Sequence, residues 1–353
     1  MEVVMADKIR IGIIGAGGIF RTRHFPGLAQ IDDAEVVAIC NRSEESGGKI
    51  ATEFGLSPDL MTDPHALIAR DDIDAVMIGT WPYKHCEFVL ESLKAGKHAF
   101  VQARMAMNLR EAKIMYAAAM ESELAHQICQ PPHALKGDWF MQRLIAEGYV
   151  GDIRNIVIRS MTPGGIDPNT PLHWRQIGRF SGLNTMSVGM LVEFVHRWCG
   201  YTKSVSAHAE TYVTERSTED GTGSVDRPDT VNILAQMESG ATAVYLFSGT
   251  AHHAPGESIE IYGTDGTLIY ETSPVLDEQR ILSAKASDGA LQELDVPASD
   301  MREWTVEADF IDMIKTGKPA ESTFYQGVKY MEFTEAVFRS VERGATVHLP
   351  IVD

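Results

Sequence analysis

Cysteine is scarce in this chain, with four among 353 residues. Cys40, Cys86, Cys129 and Cys199 lie far apart without C-x-x-C spacing, which argues against a zinc knuckle and a disulfide framework and predicts reduced packing residues. Long apolar runs are missing, as is a charged-then-apolar leader before Lys8, so the expectation is a cytoplasmic protein with no membrane partner. Positive charge is also short: 31 Lys and Arg stand against 49 Asp and Glu, a formal net charge of −18. That surplus repels polyanions, and no basic helix or aromatic-basic face offsets it, so a small molecule is expected rather than nucleic acid. No ligand set for a metal is expected, and no internal repeat or low-complexity tract is evident.

What is present begins at Lys8-Ile-Arg-Ile-Gly-Ile-Ile-Gly-Ala-Gly-Gly-Ile19, where a β-branched run meets a glycine cluster at the start of an expected helix. This pattern predicts a dinucleotide site. Gly15 allows the tight turn, Gly17 and Gly18 let the backbone approach a pyrophosphate, and the phosphates sit at the positive end of the helix that opens with Ile19 and Phe20. Phe20 occupies the slot of the third small residue, which predicts a helix standing slightly off the strand.

The length predicts two domains, residues 1–129 and 130–353. In the first, apolar strands at Ile9–Ile14, Glu35–Cys40, Ala75–Gly79, His98–Val101 and Ala125–Cys129 alternate with helices at His85–Ala95 and Leu109–Ser122. That order is a doubly wound parallel sheet, a Rossmann domain. Beyond Pro131-Pro132 come a helix around Asp138–Glu147 and a strand at Ile153–Ser160. Two hairpins follow, Thr230–Glu238 with Ala241–Ser248 and Ser258–Tyr262 with Thr267–Glu271. The second domain is therefore α+β with an open, mostly antiparallel sheet. Residues 214–229, polar and Gly-rich, are expected to form a mobile loop.

Several segments together resemble the glucose-fructose oxidoreductase, inositol dehydrogenase and MocA family. These are Gly17-Gly-Ile-Phe-Arg-Thr-Arg-His24-Phe-Pro26, Asp74-Ala-Val-Met-Ile-Gly-Thr80-Trp-Pro82-Tyr-Lys-His85-Cys-Glu87, Ala95-Gly-Lys-His98, and the closing stretch from Gly327 to Ser340. The resemblance implies NAD(P)-dependent redox chemistry on a secondary alcohol of a sugar, polyol or related molecule. It also implies a homodimer or homotetramer formed through the open sheet face, and cofactor contacts from Thr80, Trp81, His85 and Gln102. Two departures stand out. Where the family writes Glu-Lys-Pro, this chain has Gln102-Ala103-Arg104, so the lysine that assists proton transfer is absent. Where the family places an Asp and a His in D-x-G-x-H-x-x-D ahead of a Trp, alignment on Trp198 gives Ser187, Leu191 and Phe194, a register shifted by one residue gives Val188 and Val192, and neither restores the pair.

Replacement groups are sought by chemistry. His173, in His173-Trp174-Arg175, is the first choice as general base, since an imidazole titrates near neutrality. Glu193 and His196 stand three apart on a helix, either a substitute acid/base pair or an ordinary surface pair. His133 and Lys136 follow the domain junction, where the family places substrate contacts. Arg104 has too high a pKa for a base, so it is assigned with Trp174, Arg175, Arg179 and Asn184 to substrate binding. Arg154, Arg159, Arg175 and Arg179 read either as solvated or ion-paired groups or as a pocket for an anionic substrate. After the second strand, Asn41-Arg42-Ser43 lacks the carboxylate that repels a 2′-phosphate, which tilts the cofactor from NAD towards NADP; Asn41 bonding a ribose hydroxyl is the alternative. Two further functions stay open: an NAD-dependent glycosidase working by oxidation, elimination, hydration and reduction on sulfo- or amino-sugar glycosides, and a catalytically silent cofactor-binding paralogue.

Overall fold

The computed structural model describes residues 8–129, 135–272 and 278–352. The chain divides into two units: Met1–Gln130 with Trp304–Val328, and Pro131–Glu303 with Lys329–Asp353.

In the first unit, β1 (Ile9–Ile14), β2 (Ala34–Cys40), β3 (Asp59–Met61), β4 (Ala75–Ile78), β5 (His98–Val101) and β6 (His126–Ile128) form a parallel sheet in the order β3-β2-β1-β4-β5-β6. The order reverses at β1 and β4, so a crevice opens at the carboxyl ends of these two strands. Helices α1 (Phe25–Leu28), α2 (Glu44–Glu53), α3 (Pro64–Ile68), α4 (His85–Lys94) and α5 (Leu109–Ser122) cross between strands. Their starts are set locally: Asp63 caps α3 ahead of Pro64, and Asn108 caps α5 by accepting from Glu111 N at 2.9 Å. A wide π turn, Phe20–His24, precedes α1. Phe20 opens this turn. Its ring is fully buried in the space above Gly79, which any β-carbon there would fill.

The second unit contains α6 (Asp138–Ala146), β7 (Ile153–Met161), α7 (Gly178–Ser181), α8 (Val188–Cys199), β8 (Thr202–Glu210), β9 (Glu215–Thr218) and β10 (Gly221–Ser224). Continuing along the chain are β11 (Thr230–Met237), β12 (Thr242–Ser248), β13 (Gly256–Gly263), β14 (Gly266–Thr272), β15 (Gln279–Lys285), β16 (Gln292–Leu294) and, near the end, β17 (Val347–His348). Nine strands make one sheet in the order β16-β15-β14-β13-β7-β12-β11-β8-β17, antiparallel except for the β7–β12 pair. Period-two patterning gives it one buried face (Ile156, Ile158, Tyr245, Phe247, Ile259 and Ile261) and one open face. Both expected hairpins form, at β11–β12 and β13–β14. Residues 214–229 are not the mobile loop their composition predicts: β9 and β10 pair there, and Arg216, 2% exposed, donates to the carbonyls of Gly165 and Asp167.

Later elements are α9 (Val306–Thr316) and α10 (Phe324–Arg343). Trp304–Val328 belongs to the first unit, whereas the sequence reading placed everything from residue 130 onward in the second. The cause is apolar: Val306, Phe310, Ile311 and Met313 of α9 pack into the core built by Ile11, Phe25 and Phe100. Glu307 is drawn in with them and meets His24 Nδ1 at 2.5 Å and the Trp304 indole N–H at 2.9 Å. All four cysteines are free thiols, Cys40 and Cys129 buried. Among the described residues no helix is long and apolar enough to cross a membrane, and no group of His, Cys, Asp and Glu is arranged to hold a metal.

Candidate active site

The crevice of the first unit is built from backbone. Gly15 has φ +82°, and a β-carbon there would stand 2.9 Å from the amide nitrogen and Cγ2 of Thr80. The turn is tied on both sides, since Gly15 N donates to the Cys40 carbonyl at 2.9 Å and Gly79 N to that of Ile14 at 2.8 Å. Gly17 and Gly18 are exposed, and at Gly18 a β-carbon would meet nothing within 4 Å. Bare backbone at the start of Ile19-Phe20 is what a pyrophosphate needs for close approach. The Thr80 hydroxyl oxygen is buried without a protein partner at the same turn, so the residues present fit a dinucleotide.

Asn41 serves the turn itself. Its Oδ1 accepts from Ala16 N at 2.8 Å and its Nδ2 donates to the Ala16 carbonyl at 3.3 Å, so the side chain acts as a staple rather than being left open for a ribose hydroxyl. Ser43 caps α2 by accepting from Ser46 N at 3.3 Å. Arg42 is exposed. On the other side of the crevice His85 is fully buried, with Nε2 2.8 Å from the Thr80 carbonyl and Nδ1 2.9 Å from that of Arg104. Burial pushes its pKa down against those carbonyls. His85 therefore ties the exit of β4 to the segment after β5, where Gln102 folds its side chain back onto Ala103 N at 3.1 Å. Trp81 stands 6.4 Å from Tyr83, ring to ring.

In the second unit the sequence candidates scatter. His173 is exposed and caps the turn Trp174–Gln176: its Nδ1 accepts from Arg175 N at 3.3 Å. Partial burial and the neighbouring Arg175 push its pKa down. His196 is half-buried. Its Nε2 lies 3.0 Å from Thr202 Oγ1, between the rings of Tyr201 and Phe333, and burial pushes its pKa down to about 3. Glu193 is 3% exposed, its pKa pushed up to about 8 by burial.

The arginines have separate neighbours. Arg159 pairs with Glu260, Arg175 lies 4.4 Å over the Trp174 ring, Arg179 lies 4.7 Å over Phe180, and Arg154 is exposed. Asn184 donates to the Ser181 carbonyl at 2.7 Å. Lys136 is exposed, with its backbone N–H held by Gln279 at 2.9 Å. His133 lies outside the described residues.

Two constellations escaped the sequence reading. Asp138, at the first turn of α6, is wholly buried and gathers Arg302 at 2.6 Å, Arg197 at 2.9 Å and the Trp198 indole at 2.8 Å. A hydroxyl chain also starts at Ser187, just before α8. Ser187 Oγ donates to Ser160 Oγ at 2.7 Å, and Ser160 Oγ donates in turn to Glu257 Oε1. Register explains this second cluster, because Glu257 on β13 lies opposite Ser160 on β7, about a hundred positions apart in the chain. No local spacing signals such a pair.

A reversed parallel sheet with a glycine turn at its switch point defines a dinucleotide-binding Rossmann protein. The profile described as "Oxidoreductase family, NAD-binding Rossmann fold" matches residues 9–128, and that of the GFO/IDH/MocA C-terminal domain matches residues 140–269. The chain belongs to the GFO/IDH/MocA oxidoreductase family. It is 22% identical to levoglucosan dehydrogenase of Pseudarthrobacter phenanthrenivorans over 98% of this chain and 99% of that protein. It is 28% identical to Oxidoreductase P35 of Formosa agariphila, a match spanning 50% of this chain and 56% of that protein. A solved structure of levoglucosan dehydrogenase in complex with NADH and L-sorbose shares the fold, with a TM-score of 0.86 at 22% identity over 98% of this chain and 100% of that one.

Proposed function

We propose that this protein oxidises a secondary alcohol of a sugar or polyol, with a nicotinamide dinucleotide as hydride acceptor. The observation that carries the reading is the backbone cradle at Gly15–Gly18, closed by Thr80 and rigidified by Asn41 and His85. When bound, the dinucleotide supplies a ring carbon that accepts hydride; the protein binds, orients and removes the hydroxyl proton. The name of the levoglucosan relative supports a neutral carbohydrate. So does the Arg159–Glu260 pairing, which leaves that guanidinium already compensated. Arg42 is the residue on which acceptance of a 2′-phosphate rests, because Asn41-Arg42-Ser43, directly after β2, holds no carboxylate to repel it. The open sheet face, with Leu234 62% exposed opposite Val244, is the surface proposed for a homodimer or homotetramer, which light scattering would read.

The test is incubation with NAD or NADP against free sugars, polyols and glycosides, with reduced nicotinamide and organic product measured together. Equal amounts of reduced nicotinamide and ketone are expected. Aglycone release without accumulated reduced nicotinamide would overturn the reading in favour of a redox-assisted glycosidase. Tight cofactor binding without turnover would mean a silent paralogue.

A further inference from the structure

The bare backbone of Gly17 and Gly18 runs through Ile19 into the wide turn Phe20–His24, and a distant part of the chain holds that turn. His24 is fully buried, and its Nδ1 stands 2.5 Å from Oε1 of Glu307, a buried residue in the first turn of α9. His24 Nε2 is buried without a hydrogen-bond partner, so among the described residues Glu307 alone fixes the ring through a polar contact. The imidazole is also packed on the turn itself. Its ring centre lies 4.5 Å from that of Phe20, which fills the space above Gly79, and 5.3 Å from that of Phe100 on β5. The carboxylate is held in its turn by the Trp304 indole, which donates to Oε1 at 3.1 Å and to Oε2 at 2.9 Å. Glu307 Oε2 occupies the place that a β-carbon at Gly27 would take, so glycine lets α1 lie against it. Glu307 therefore meets both the wide turn and the helix that follows it. Val306, Phe310, Ile311 and Met313 already dock α9 by apolar contact, and a carboxylate gains nothing from leaving water unless charge-assisted hydrogen bonds replace it. What Glu307 adds to that adhesion is direction, because it bonds only where His24 stands.

We propose that Glu307 is a positioning residue for the dinucleotide: through His24 it holds the turn after the glycines in the one conformation that binds the pyrophosphate. This rests on the reading of the glycine turn as the cofactor cradle, and it is independent of which alcohol is oxidised. Once the contact is lost the turn samples other conformations, and the apparent affinity falls in proportion to the fraction that stays competent. Coupling of this kind is reciprocal, so a bound dinucleotide tightens the docking of α9. His24 and Glu307 act through the backbone of the turn.

The experiment measures NADH and NADPH affinity by fluorescence for wild type, Glu307→Gln, His24→Gln and the double variant, with Met313→Ala as a control from the apolar face of α9. Binding about tenfold weaker is expected for each single variant, with no further loss in the double, because both changes open the same contact. Met313→Ala should lower Tm yet bind as wild type does at temperatures well below that Tm. Wild-type affinity in Glu307→Gln, losses that multiply in the double variant, or equal weakening in Met313→Ala would overturn the proposal. Amide hydrogen exchange of wild type gives a second reading, and it decides the matter should the variants not fold. Bound NADH must slow exchange along Val306–Thr316 more than along Leu109–Ser122, and equal slowing of the two helices would overturn the proposal. Wild type that binds neither dinucleotide sinks the cofactor reading and the proposal with it. Wild type that binds them yet oxidises no alcohol sinks only the functional reading, because affinity and exchange still decide the role of Glu307.

Discussion

The glycine turn of the first unit and the helix-to-strand region of the second are built by opposite means. At Gly15–Gly18 the useful atoms are backbone amides, and the sequence acts by leaving side chains out. Around α8 the useful atoms are side-chain tips brought together from α8, β7, β13 and α6, and the sequence acts by putting groups in. The first kind of site is damaged by adding one carbon and the second by deleting one polar group. Each region can thus be broken without disturbing the other.

The largest effect is expected at Asp138. Removing its carboxylate in Asp138→Ala leaves Arg302, 3% exposed, and Arg197 without their shared counter-ion, and stability should fall by about 3–5 kcal/mol in urea unfolding. A change within experimental scatter would mean that this region does not depend on its buried polar groups. Next is Gly15→Ala, where a β-carbon 2.9 Å from Thr80 N and a φ of +82° act together. NADH affinity should drop at least about 100-fold with circular dichroism unchanged, and retained affinity would sink the backbone account of the turn.

A smaller effect concerns Glu193, whose folded pKa of about 8 lies above its ordinary 4.5. Because the folded carboxyl keeps its proton longer than the unfolded one, wild type loses stability as pH rises from 4.5 through 8. Glu193→Gln removes that slope. Its Tm should match wild type near the low end of this range and exceed it by about a few degrees above the high end. A gap independent of pH would show that Glu193 ionises normally. The smallest effect is at Arg42: Arg42→Ala should weaken NADPH binding by about tenfold or less while leaving NADH binding unchanged. Equal loss for both would remove Arg42 from 2′-phosphate recognition.

The same contrast explains what the sequence disclosed. Ile9–Ile14, His98–Val101 and Leu109–Ser122 fall where apolar periodicity and the Asn108 cap put them, because those signals act within a few residues. The glycine turn was legible for the same reason. Residues 214–229 misled because their polar composition conceals a short β pair anchored by Arg216, whose partners Gly165 and Asp167 lie some fifty positions away. Trp304–Val328 was assigned to the second domain because its apolar face meets strands of the first unit only in three dimensions. The titration range of His173 is legible in the sequence, whereas its place as the cap of a short turn, accepting from Arg175 N, is set by the local fold. The Ser187–Ser160–Glu257 cluster is not legible in the sequence because Ser160 and Glu257 meet through strand register.

In the proposed reaction an alcohol carbon gives a hydride to a nicotinamide held by the glycine turn. A sugar or polyol deuterated at the oxidised carbon, turned over with oxidised cofactor, tests it directly by nuclear magnetic resonance of the recovered nicotinamide. Deuterium at C4 of the reduced ring, equal in amount to the ketone formed, is the predicted result. Deuterium released to water, or returned to the product with no reduced nicotinamide remaining, would contradict it.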